Sequence, residues 1–73
     1  MNVEGIIADS HFAFINSQNN ESLHLANEAI RLASKNPDAY QCAGDAYMSL
    51  GQKLQCNCMH IISILLGVVV KYN

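Results

Sequence analysis

Asn36-Pro37 restricts this chain more than any other pair of residues in it. Proline has no amide hydrogen and disfavours helix at the residue before it, so a helix arriving from upstream has to stop at Asn36. In a first helical turn proline is well tolerated, so Pro37 opens a new helix as naturally as Asn36 closes the old one. Beyond it, Tyr40, Ala43, Gly44, Tyr47 and Leu50 recur at helical spacing and share one face. Gly51 follows, where a helix takes a left-handed cap. Residues 29–51 therefore read as a helix end, a short turn and a second amphipathic helix closed by glycine, which is the joint of a helical hairpin.

The flanks extend the pattern. Residues 3–16 form a helix rich in apolar side chains, with Val3, Ile6, Ile7, Ala13 and Phe14 on one face, although Gly5 and the β-branched residues lower its propensity. Ser17-Gln18-Asn19-Asn20 is a polar break of turn-forming composition. A second helix runs over about 20–34, with Asn19 or Asn20 as its cap and Glu21 in the first turn against the helix dipole. Its apolar stripe is Leu25, Ala26, Ala29 and Ile30, while Glu28, Arg31 and Lys35 face solvent and Glu28 pairs weakly with Arg31. Residues 52–59 suit the start of a fourth helix.

The last stretch, 61–70 (IISILLGVVV), is apolar on every side, whereas a surface helix shows one apolar stripe. It is about half as long as the roughly 20 apolar residues of a bilayer span. A buried helix, a buried strand and an aggregation-prone tail all fit it. The pattern shared by the preceding helices is expected to stop near 53–59, with a divergent or truncated end beyond.

Composition narrows the function classes. A chain of 73 residues makes one small domain. Charged residues are only 14%, against about a quarter in an average globular chain, and the abundance of apolar residues argues against disorder. The net charge is −2, and the four basic residues (Arg31, Lys35, Lys53, Lys71) are scattered, so there is no footprint for nucleic acid or an anionic membrane. Cys42, Cys56 and Cys58 are odd in number, and no basic patch followed by an apolar core opens the chain. Free thiols in a reducing interior, cytoplasmic or nuclear, are the expectation.

Cys56-Asn57-Cys58 with His60 has the residue types of a zinc or copper site. Three ligands within five residues lack the paired spacing of such sites, and Cys42 would have to supply a fourth, so buried or idle thiols are the expected reading. His11, His24 and His60 have no nucleophile or carboxylate at a recognisable catalytic spacing. Gly5, Gly44, Gly51 and Gly67 are scattered rather than gathered into a phosphate loop. A non-catalytic protein without metal or cofactor is expected.

Ala39-Tyr40, Gly44, Ala46-Tyr47 and Leu50-Gly51, preceded by Ala29-Ile30 and Asn36-Pro37, resemble a tetratricopeptide repeat. That family builds helix–turn–helix units of about 34 residues. The resemblance assigns structural positions to Ala29, Tyr40, Gly44, Tyr47, Leu50 and Gly51. It implies an all-α fold of antiparallel hairpins: one unit over 3–36, the first helix of a second over 37–52, and a divergent second helix or apolar tail over 53–73. Moved back one repeat, Ser10 replaces Gly44 and Ala13 replaces Tyr47, with Phe12 or Phe14 expected to supply the missing volume.

The resemblance also implies a function, the non-catalytic scaffolding of another protein. First helices in the family line a groove for a peptide or partner helix. The corresponding residues here are Glu4, Ile7, His11 and Ile15, then Asp38, Gln41, Asp45 and Met48, and Asp38 and Asp45 would repel an acidic tail. The strings F-A-F, A-I-R-L-A and P-D-A-Y further resemble repeats of a transcription factor IIIC subunit. Further repeats or a second copy are alternative partners, because a short repeat array is marginal alone. A membrane-associated adaptor or oligomerising peptide using the apolar C-terminal segment is the competing reading, and direct nucleic-acid contact is not expected.

Overall fold

In a computed structural model that describes residues 2–72, the chain forms four helices, α1 (Val3–Ile15), α2 (Asn19–Leu32), α3 (Pro37–Ser49) and α4 (Lys53–Tyr72). The fold is all-α, and no strand occurs among the described residues. Short joints turn each helix back on the last, so α1 packs on α2, α2 on α3 and α3 on α4, and α1 also touches α3. The result is a slab of 35 × 30 × 17 Å, thin enough that each helix keeps a wide solvent face.

The two hairpins share one register. Each landmark of the first returns 34 positions later: Val3 and Pro37 start helices, Ile15 and Ser49 end them, and Asn19 and Lys53 start the next. Asn2 and Asn36 are both N-caps, their Oδ1 atoms accepting the amides of Glu4 at 3.0 Å and Asp38 at 2.9 Å. Glu4 and Asp38 then lie in first turns, where a negative charge suits the helix dipole. The C-termini match too. Gly51 (φ 76°) and Ser17 (φ 62°) are the left-handed residues after α3 and α1. At each, the next amide reaches back across the cap, Gln52 N to Tyr47 O at 2.9 Å and Gln18 N to Ala13 O at 2.8 Å.

The core is built of small side chains. Ala13, Ala26, Ala29, Ala39, Ala43 and Ala46 are buried, and the largest fully enclosed side chains are only Cys56, Ser10 and Ser22. Larger residues (Val3, Ile7, Leu25, Ile30, Tyr47, Met59) close over them from the edges. Between α1 and α2 the two serines form a reciprocal clasp. Ser10 Oγ donates to Ser22 O at 2.8 Å, and Ser22 Oγ donates to Ser10 O at 2.9 Å. No buried side-chain oxygen or nitrogen among the described residues lacks a partner, so the clasp seals the contact without a desolvation penalty. Across the joint, Tyr40 Oη donates to Ser34 O at 2.8 Å and fixes the turn before Pro37.

Three local expectations need correction, and one open alternative is decided. The N-cap of α2 is Gln18, which makes no side-chain cap bond, rather than Asn19 or Asn20. Its amide already closes α1, so the next helix begins at once. α2 ends at Leu32, short of Ser34, because Ala33 leaves helical geometry and its carbonyl accepts the Asn36 amide at 3.0 Å. Phe12 does not fill the space beside Ala13: it is 68% exposed, and Phe14 is half-buried, stacked on His11. Of the conformations open to 61–70, the chain takes helix and continues α4, because the small face of α3 offers it a helix-packing surface. Ser63 Oγ donates to Pro37 O at 2.8 Å and ties it there.

Ser17 holds a conformation that costs a side-chain-bearing residue about 1–2 kcal/mol. Ser17→Gly should therefore raise unfolding stability by about 1 kcal/mol, and Gly51→Ala should lower it by about the same. Urea denaturation of both variants checks this, and a Ser17→Gly protein less stable than the parent would contradict the cap geometry.

Candidate functional site

Because α1 and α3 are the equivalent first helices of the two hairpins, they lie side by side and leave a groove between them. It encloses a cavity of about 430 Å³ lined by Glu4, Ile7, Ala8 and His11 from α1, by Asp38, Gln41, Cys42 and Asp45 from α3, and by Asn36 at the joint. Six of the eight residues expected to face a partner are here: Glu4, Ile7, His11, Asp38, Gln41 and Asp45. Ile15 and Met48 are not. They sit in the last turns of α1 and α3, past the end of the cavity, and are exposed to solvent instead.

The groove has an apolar floor and a negative rim. Ile7, Ala8 and Cys42 supply the floor, and Glu4, Asp38 and Asp45 supply carboxylates, while no lysine or arginine lines it. Cys42 is buried, its Sγ directed at Ile7 O at 3.9 Å. Burial, followed by the fields of Asp45 and Asp38, raises its pKa above the ordinary 9.0, so the thiol stays protonated and unreactive.

Behind the α3 wall lies a polar fastening that the sequence did not reveal. His60 of α4 lays its ring on Gly44 of α3. Its Nε2 is 3.2 Å from Asp45 Oδ1 and its Nδ1 is 3.7 Å from Cys56 Sγ. One tautomer serves both contacts: Nε2–H donates to the carboxylate, leaving Nδ1 to accept the thiol proton. Gln41 Nε2 donates to the same Asp45 Oδ1 at 3.3 Å, which connects the fastening to the groove. Cys56 and His60 are four residues apart and so share a helix face; that much was visible in the sequence. Their carboxylate partner is 15 residues upstream on another helix and was not.

Thiol, imidazole and carboxylate stand in the order of a nucleophilic triad, but Cys56 is 1% exposed and no acceptor carbon has a route to its sulfur. The cluster fastens helices. Cys58, two residues on, is exposed on the other side of α4, so the two thiols do not converge. No metal-competent group of three His, Cys, Asp or Glu side chains exists among the described residues.

No family model, curated protein or solved structure matches the chain. Its function is therefore read from the groove and from the surfaces of its four helices. No helix among the described residues is long and apolar enough to cross a membrane.

A Cβ added at Gly44 would lie 2.5 Å from His60 Nε2 and nearer still to Cδ2. Gly44→Ala should cost about 1–3 kcal/mol, because the ring can move only by giving up Asp45 and Cys56. In a His60→Ala background the sign should reverse, with the same change stabilising by up to about 1 kcal/mol through helix propensity. Equal effects in both backgrounds, measured by denaturation in a double-mutant cycle, would refute the packing.

Thiol accessibility gives a separate expectation. In the native protein Cys58 should react with a neutral alkylating reagent at least about 100-fold faster than Cys42 and Cys56. A thiol whose pKa is raised by folding ionises first in the unfolded chain. Cys42 thus contributes a loss of stability as pH climbs past 9.0, and Cys42→Ala should flatten that part of the stability–pH curve.

Proposed function

We propose that this chain is a non-catalytic protein-binding module of the tetratricopeptide type, which takes a segment of another protein into the groove between α1 and α3. The groove itself is the observation that carries the reading: a cavity about 430 Å³ in volume, formed by the first helices of two hairpins in the same register. Its apolar floor suits a side-chain anchor, and its rim sets the charge of the occupant. Glu4, Asp38 and Asp45 face the cavity without a lining lysine or arginine, so they favour a segment carrying Lys or Arg and disfavour an acidic tail. The likeness to transcription factor IIIC repeats makes the subunits of a nuclear assembly complex the first partners to examine. Three free thiols fit a reducing, intracellular setting.

Immobilised peptide libraries test this directly. The protein should select peptides with Lys or Arg beside an apolar residue, and binding should weaken as salt is raised. Glu4→Lys combined with Asp38→Lys should reduce affinity at least about tenfold while costing no more than about 2 kcal/mol of stability through the lost first-turn charges, since neither side chain is buried. Selection of acidic peptides, or equal binding by parent and variant, would overturn the groove assignment.

A further inference from the structure

α4 presents a second surface, on the side away from α3. It buries Cys56 and turns His60 and Ser63 toward α3, leaving Leu54, Ile61, Ile64, Leu65, Val68 and Val69 exposed at 51–75%. Five outward positions, Leu54, Cys58, Ile61, Leu65 and Val68, follow one another at intervals of four, three, four and three residues. That is the spacing of a coiled-coil seam, in which each side chain inserts between four of a facing helix. We infer that α4 pairs through this seam with α4 of a second copy, making the chain a two-fold symmetric dimer.

Two observations, the charge pattern and the size of the patch, favour a second copy over other occupants. No Asp, Glu, Lys or Arg occurs between Lys53 and Lys71, so two seams meet without like-charge repulsion. The seam's flanks also lack the charges by which coiled coils choose a different partner. A lipid surface is disfavoured for the same reason: interfacial helices set cations beside their apolar face, and the reverse face of α4 is committed to α3. Size agrees as well. The seam runs about 21 Å along the helix, and its four large aliphatic side chains, flanked by Ile64 and Val69, make a patch on the order of several hundred Å², the size that marks an interaction site. A seam this short cannot hold two isolated helices together, but α4 is already folded against α3, so pairing bears no cost of helix nucleation. Self-complementary patches close as two-fold pairs, the commonest oligomer symmetry.

Sedimentation velocity of the full chain in reducing buffer, over a wide concentration range, tests the pairing. A reversible monomer–dimer equilibrium is expected, and Ile61→Glu with Leu65→Glu should weaken it at least about 100-fold while far-UV circular dichroism stays that of the parent. Phe12→Glu with Ile15→Glu, which alters equally exposed apolar residues on α1, should leave the dimer intact. A chain that stays monomeric, a ladder of larger species, or a dimer indifferent to the α4 substitutions would each overturn the inference.

Discussion

Close approach of helix backbones is the constraint on which this molecule depends. At the centre of each hairpin a small residue lets the partner helix come near: Ser10 against Ser22 in the first, Gly44 beneath His60 in the second. Close packing gains many dispersion contacts per residue but buries little apolar area on each side chain. A core of alanines, serines and cysteines therefore needs polar fastenings where a larger core would rely on volume. The serine clasp and the Asp45–His60–Cys56 chain are those fastenings, and each is satisfied where it is buried.

The same economy leaves surface to spare. A slab 17 Å thick cannot enclose the apolar side chains of four helices, so they gather on faces that await something else. One face is the groove between α1 and α3, mixed in character, with a carboxylate rim. The other is the outward seam of α4, wholly apolar. Their chemistry separates the roles we propose for them, because a charged rim would select among soluble segments while a neutral 3–4 stripe would match a copy of itself. Gln41 and Asp45 belong to both the groove wall and the α3–α4 fastening, so an occupant that engages Asp45 competes for the hydrogen bonds that hold His60.

Much of this architecture is written locally. Asn36-Pro37 and Gly51 fix where helices stop and start through constraints on single residues, which no tertiary partner is needed to impose. The resemblance to a tetratricopeptide repeat assigned Glu4, Ile7, His11, Asp38, Gln41 and Asp45 to a groove, and the folded chain brings them to one cavity. Ile15 and Met48 obey the same spacing yet lie outside it, because periodicity gives the face of a helix and not where the neighbouring helix ends. Ser17 is another limit: serine does not announce a left-handed cap, and only its equivalence to Gly51 exposes the role.

What the sequence alone determined was the run of helices over its first two thirds and the position of the central joint, since both follow from backbone restrictions and short-range periodicity; the repeating register came from the resemblance to a tetratricopeptide repeat. The tertiary structure decided the rest. A run apolar on every side, 61–70, carries no period from which to choose its conformation; packing against the small face of α3 made it helix and assigned its inward and outward sides. The tie between His60 and Asp45 likewise depends on how closely α3 and α4 cross, and Gly44 sets that distance through an atom it lacks.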